Sequence, residues 1–387
     1  MAKYIYRDGN YFNLCPHCFS ATQRNEAKFI DYHDMGPKNY PELVAFRRRF
    51  FGKEPDLSNA PFIFTPTQTL NNEGFAAYTN SGDLTRYRAC PVCYGKLPAS
   101  TGRMRTFVIP IICSSPSQKV LNMTYIFHNL MNDMRRNFGI SVMPSDYDTA
   151  LRVSENLENK YFFEKTEPVD EKAVAPYMFE FINNSAPATE THDKNNALIA
   201  YNRALVMFYD IDIEKFASYP EFYGKMIAQA DGILYLVDMP GMHIVDDKEV
   251  LADPITAFLH ENYTAIFGTQ KLSKPVATVF TNATMLKKHN DKFLQKALRL
   301  SAMASPSLSY FPGSLYAKID KAMTKHIRQC YPDFFVILNR MTNPVYRRSF
   351  VMDNIPERYS PGNVPRPEIP LLWLLAKMKI VPSKGII

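Results

Sequence analysis

No apolar run in the chain approaches the roughly 20 residues that a membrane-spanning helix needs. The most apolar late stretch, Ile369 to Leu375, is far too short. The first residues show no basic, apolar and small-residue succession, so no secretory leader is expected, and the cytoplasm is the expected compartment. Cysteine is scarce, with six in all, and without a leader a disulfide framework is not expected. Neither an internal repeat nor a low-complexity tract occurs. What remains is a chain of 387 residues, 46% apolar and 21% charged, the composition of a globular protein. That length suits two or three domains, or one large α/β domain with insertions.

The net charge of +7 is unevenly placed. Lys321 to Ile387 holds 11 Lys and Arg against 4 Asp and Glu, an excess equal to that of the whole chain. A basic and aromatic cluster, Phe46-Arg47-Arg48-Arg49-Phe50-Phe51, lies near the start. Such patches can meet nucleic acid or acidic partners, and more commonly form solvated faces.

Four of the cysteines form two matched knuckles, Cys15-Pro-His-Cys18 and Cys90-Pro-Val-Cys93. Each C-P-x-C turn can present two thiolates on one side, and two such turns complete a tetrahedral Cys₄ site. A soft sulfur set selects Zn²⁺ over hard cations, so one structural zinc is expected. The 71 residues between the pairs exceed ordinary ribbon spacing, so a subdomain is inserted over residues 19–89. His17 lies inside a knuckle whose shell the four sulfurs already fill. Cys113 and Cys330 stand alone and read as ordinary buried thiols. The plainer alternative for the knuckles is four reduced thiols in unrelated turns.

The centre of the chain is Ala204 to Asp238. Two apolar runs, Ala204 to Tyr209 and Gly232 to Val237, each end in an aspartate, Asp210 and Asp238. Joined by a helical segment, they predict neighbouring buried parallel strands. Ligands bind outside the carboxyl ends of such strands, which makes both aspartates candidates, although turn capping is their plainer role. Thr106 to Cys113 and Pro275 to Phe280 predict two further buried strands. Helices are expected over Pro41–Phe51, Gln118–Phe138, Ser145–Tyr161, Asp253–Phe267, Met285–Met303 and Leu315–Met341, the last interrupted near Pro332. Pro176–Ile182 and Leu198–Asp210 are expected to pair, and Val345–Met352 to form the last strand.

A strand, a tight turn and a helix around Ser114 to Ser117 supply the context of a phosphate-binding loop. Laid on G-x-x-x-x-G-K-[ST], the octet Cys113 to Val120 keeps only Lys119. Cys113 and Gln118 replace the glycines, Val120 replaces the magnesium-binding hydroxyl, and Pro116 removes an N–H donor.

These landmarks come in a recognisable order. Phe208-Tyr-Asp-Ile-Asp-Ile-Glu214, Ala230-Asp-Gly-Ile-Leu-Tyr-Leu-Val-Asp238 and Pro370-Leu-Leu-Trp-Leu-Leu375, behind a zinc ribbon, resemble the bacterial double-GTPase family of TRAFAC-class GTPases. The resemblance spans almost the whole chain. It implies a P-loop GTPase-like α/β sheet with helices on both faces, plus an N-terminal Cys₄ zinc ribbon carrying an insertion. The expected domains are 1–100 (ribbon with insertion), 101–355 (GTPase-like) and 356–387 (Pro-rich linker and short helix). It also implies that Lys119 reaches the β- and γ-phosphates, that Asp210 holds magnesium, and that Thr166 stands for the switch threonine. Thr281 and Asn282 fall in the guanine motif.

The departures tell against GTP and Mg²⁺ as ligands. Ile213 stands where the third motif needs glycine, and Thr284 stands where the guanine motif needs aspartate. Phosphoryl transfer rests on positioning and charge neutralisation, and cradle, metal ligand and base reader are all altered. The expected function is therefore that of a pseudo-GTPase, a regulatory or scaffolding protein. The resemblance implies protein partners encoded nearby, including an intact GTPase. Two alternatives stand beside it: a divergent GTPase that binds or hydrolyses nucleotide, and a zinc-ribbon protein that binds nucleic acid.

Overall fold

The computed structural model describes residues 11–70, 73–113, 116–158, 175–186, 188–211, 213–239, 244–245, 248–249, 271–283, 291–302, 309–352 and 366–384. The helix expected over Asp253–Phe267 lies outside them, as does most of the proline-rich stretch after Met352.

The N-terminal ribbon is built from two short hairpins. Asn13–Leu14 pairs with Ala21–Thr22, and Arg88–Ala89 pairs with Lys96–Leu97, each antiparallel. Between them the insertion adds strands Lys28–Gly36 and Ala60–Phe64, which join the second hairpin in a four-stranded sheet. Helix α1 spans Pro41–Phe51, with Pro41 in its first turn, where a missing N–H costs nothing.

The larger body is a seven-stranded sheet. Its strands are β1 (Arg105–Cys113), β2 (Ile140–Pro144), β3 (Tyr177–Asn183), β4 (Arg203–Ile211), β5 (Ile233–Asp238), β6 (Val276–Thr281) and β7 (Arg347–Val351), in the order β2-β3-β4-β1-β5-β6-β7. The pairs β4–β1, β1–β5, β5–β6 and β6–β7 are parallel, while β3 runs against both of its neighbours. The two central runs, expected as neighbours, are parallel but separated: β1 lies between them and pairs with each. Periodicity showed both runs to be buried on two faces, but it carries no record of which strand fills the gap. Leu198–Tyr201, expected as one strand with β4, instead pairs with Glu190–His192 in a separate hairpin. Strand β2, an added antiparallel edge, had no strong alternation to announce it.

Helices α2 (Pro116–Phe138) and α3 (Tyr147–Glu158) follow β1 and β2, and α4 (Ile213–Ser218) and α5 (Pro220–Gln229) lead from β4 to β5. Beyond β6 come α6 (Lys292–Ala302), α7 (Gly313–Cys330) and α8 (Pro332–Met341). The break between α7 and α8 falls at Pro332, which suits a first helical turn and no other position. Helix α9 (Ile369–Lys377) is apolar around its whole circumference, and every residue from Pro370 to Ala376 is buried. It packs on β5 and β6, so the expected tail helix is core. A methyl group on Gly232 would lie 2.8 Å from Met378 Cε and 3.1 Å from Leu374 Cδ2, which explains the glycine ahead of β5.

Strand β4 shows how the two faces are filled. Phe208 meets Phe127 of α2 at a ring distance of 5.4 Å. The next residue, Tyr209, points to the opposite face and meets Phe19 of the ribbon at 5.4 Å. Both are buried.

Trp373, the largest fully buried side chain, stands 5.9 Å from the Phe350 ring of β7. Trp373→Ala should cost about 3–5 kcal/mol in chemical denaturation. Tyr147→Ala, at a 75% exposed position, should stay within about 0.5 kcal/mol.

Candidate metal centre and the carboxyl edge of the sheet

The two knuckles are built alike. The Phe19 amide donates to the Cys15 carbonyl at 3.0 Å, and the Tyr94 amide donates to the Cys90 carbonyl at 3.0 Å. His17 and Val92 amides aim at Cys15 and Cys90 sulfurs, both at 3.4 Å. Each turn is closed by a residue in the left-handed region, Phe19 and Tyr94, both with φ 58°. A side chain there costs about 1 kcal/mol or more. Both residues are aromatic, and both are used: Phe19 packs on the large sheet, and Tyr94 meets Tyr40 of the insertion at 5.3 Å.

The four cysteines are brought together, all buried, with their sulfurs within 4.8 Å of one another. Cys15 Sγ lies 3.6 Å from Cys93 Sγ, and Cys18 Sγ lies 3.7 Å from Cys90 Sγ. A tetrahedron with metal–sulfur bonds near 2.3 Å has edges of about 3.8 Å, so the donor set fits one soft cation. Burial pushes the Cys15 thiol well above its ordinary value. The four buried cysteines could therefore hold a metal ion. His17 does not join them. Its Nε2 is 3.2 Å from the Lys96 carbonyl, and its ring lies over Gly95, where a methyl group would come within 2.4 Å of Cδ2. It links the two knuckles from outside the sulfur shell.

The ribbon is docked on the segment that follows β4. Tyr209 donates its phenol proton to the Pro16 carbonyl at 2.6 Å. Burial, followed by the nearby Cys15 and Cys18, pushes that phenol well above its ordinary value and keeps it a donor. Phe19 sits between Tyr209 and Phe222 of α5, at 5.4 and 5.3 Å. The basic and aromatic cluster of α1 is spent on the same contact. Phe51 meets Tyr219 and Phe222, each at 5.3 Å, and Arg49 Nε donates to Glu221 at 2.9 Å. Arginines flanking phenylalanines signalled a surface patch in the sequence, but Phe50 and Phe51 turn toward α5.

The carboxyl ends of β1, β4, β5 and β6 share one edge. Asp210 stands opposite Ile111, Leu236 opposite Cys113, and Asp238 opposite Thr281. The chain leaves β1 toward β2 on one side and later reaches β5 on the other, which places a topological switch point here. Lys119 lies in the first turn of α2, and its side chain is outside the described residues, as are Thr166 and Thr284 altogether. Thr281 and Asn282 are at the edge but are buried. The Thr281 hydroxyl donates to the Val237 carbonyl at 3.2 Å, and Asn282 turns the chain with φ 56°. Ala283 then donates to the Met352 carbonyl at 3.2 Å, which ties the turn after β6 to the end of β7.

Asp231, part of the Ala230–Asp238 motif, stands ahead of β5 at the end opposite the carboxyl edge. Its carboxylate accepts from the Val108 amide at 2.9 Å and from Arg105 at 3.1 Å, locking β5 to β1. Burial pushes this carboxyl up, and Arg105 opposes that push. The signal was an acidic residue just before the apolar run Gly232 to Val237.

No family profile matches the chain, and no curated protein sequence matches it. Among solved structures, Era from Aquifex aeolicus bound to GDP and AlF₄⁻ is similar at 11% identity and a TM-score of 0.25, over 73% of this chain and 59% of that one. Era in complex with MgGDPNP and a segment of 16S ribosomal RNA is similar at 12% identity and a TM-score of 0.25, over 73% and 59% again. The chain thus spans 59% of the length of either structure.

Tyr209→Phe removes the hydroxyl that binds the Pro16 carbonyl to the sheet while keeping the ring. It should lower stability by about 1–3 kcal/mol, read from the urea midpoint, because a buried acceptor is left without its donor.

Proposed function

We propose that the chain is a GTPase-like α/β protein that has lost phosphoryl transfer and acts as a regulatory or scaffolding component of a multi-protein bacterial system. The observation that carries this reading is the length of the turn after β1. The strand ends at Cys113 and α2 begins at Pro116, leaving two residues between them. A phosphate cradle needs a run of loop N–H groups that curve around the anion. Of the octet Cys113 to Val120, Cys113 ends the strand and Pro116 to Val120 belong to the helix, and Pro116 has no N–H to offer. Lys119 lies in the first turn of that helix and Val120 directly after it.

Two further observations support it. The Thr281 hydroxyl is committed to a neighbouring strand, and Asn282 is buried. Asp210 keeps the position at a strand's carboxyl end that a magnesium-holding aspartate would take, but Val120 provides no partner ligand. The order of motifs along the chain supports a degenerate member of the double-GTPase family, in the cytoplasm, with partners encoded nearby and an intact GTPase among them.

In this reading the ribbon is held by one structural zinc on Cys15, Cys18, Cys90 and Cys93. The nearly tetrahedral sulfur spacing and the burial of all four support it. Bound there, zinc would supply folding energy and no reaction.

Phosphate release from GTP with Mg²⁺ tests the first part. Wild type, Lys119→Ala and Asp210→Ala should all match the buffer rate. Turnover by wild type that both variants lose would establish the active-GTPase alternative in its place. Metal analysis tests the second part. Cys90→Ala should carry about one zinc fewer than wild type and lose ribbon structure, while the large sheet stays folded. An unchanged zinc content would exclude the sulfur cluster as the site.

A further inference from the structure

Cys330, read from the sequence as a solitary thiol, has company. It ends α7 one turn after His326, and residues four apart share a helix face. Asp291 stands just ahead of α6, which packs along α7. The ligand atoms of Asp291, His326 and Cys330 all lie within 4.8 Å of one another. His326 Nδ1 contacts Asp291 Oδ2, and Cys330 Sγ lies 3.3 Å from that same oxygen. The His326 side chain is 3% exposed and that of Asp291 12%, so the cluster is sunk between the helices and opens at the carboxylate.

Helix capping accounts for one half of Asp291. Its Oδ1 accepts from the Phe293 amide at 2.6 Å, as a residue before a helix should. Capping does not require a buried imidazole and a thiol on the other oxygen. Nor does it account for His326 Nε2, which is buried with no hydrogen-bond partner among the described residues. A nucleophilic thiol is also a poor description. That chemistry puts the imidazole against the sulfur, whereas here the carboxylate is the shared neighbour of both, and its negative charge opposes formation of a thiolate. A dication inverts this logic, since it favours carboxylate, neutral imidazole and thiolate together.

We propose that Asp291, His326 and Cys330 form a second metal site, separate from the cysteine ribbon, that takes a transition dication of the zinc type. One sulfur, one nitrogen and one oxygen donor suit Zn²⁺ or Co²⁺ and disfavour Mg²⁺ and Ca²⁺, which call for oxygen ligands. Three protein ligands leave a fourth position for water or an added ligand. The site does not depend on the ribbon reading or on the fate of nucleotide at the sheet edge.

The full-length protein would be equilibrated with Zn²⁺, desalted and analysed for metal per folded chain, alongside Cys90→Ala, Cys330→Ala and Asp291→Asn. Asparagine keeps the helix cap, so the last variant removes the charged ligand without the structural role. Circular dichroism would confirm that each chain is folded. Wild type should carry about two ions, and Cys330→Ala and Asp291→Asn about one each. Titration with Co²⁺ should add a single-thiolate charge-transfer band that Cys330→Ala abolishes and Cys90→Ala retains. Metal lost only from Cys330→Ala and Asp291→Asn would support this site and exclude the ribbon's. Metal lost only from Cys90→Ala, with both other variants equal to wild type, would overturn this site and leave the ribbon reading intact.

Discussion

A single buried strand holds the molecule together, and the bond from the Tyr209 phenol to the Pro16 carbonyl marks where it does so. Because β4 is interior to the sheet, it must be covered on both faces. Phe208 is covered by α2, but on the face that carries Tyr209 the ribbon makes contact through Phe19, while the rings of α1 pack on α5 beside it. The ribbon therefore does part of the work that a further helix of the α/β layer would otherwise do. Its cysteine cluster lies a few atoms from the core of the other body, not at the end of a tether.

The same strand carries Asp210, one residue beyond Tyr209. In the segment that follows, Phe222 of α5 is pressed against Phe19, Phe50 and Phe51. In a nucleotide switch, the segment after such a strand has to change its position as the phosphate comes and goes. Burying aromatic rings from another body on it raises the cost of that change. Such docking favours one position of the segment at the edge of the sheet.

Much of this was legible in the sequence because it depends on local pattern. The pair of C-P-x-C turns announced a shared site, since the same residue types repeat at the same spacing and their sulfurs converge. Burial of β1, β4, β5 and β6 followed from continuous apolar runs, and α1 and the break at Pro332 from apolar spacing and proline chemistry. What escaped was pairing at long range. Nothing local states that β1 separates β4 from β5, or that Cys330 faces Asp291 across two helices. The fate of Phe50 and Phe51 was likewise hidden, because a ring beside arginine reads the same whether it faces solvent or a neighbouring helix. The pairing of Asp231 was hidden because its partner, Arg105, sits 126 positions away.

The left-handed residues that close the knuckles also restrict how the chain can vary. Glycine at position 19 or 94 would relax the backbone but discard a ring that another body needs. A β-branched side chain would keep some apolar volume yet aggravate the backbone conformation. Divergence at either site is thus hemmed in along two independent axes, one set by the dihedral angle and one by the neighbour. Such positions drift only if Tyr209 and Phe222, or Tyr40, drift with them, so substitutions there should arise in company and seldom singly.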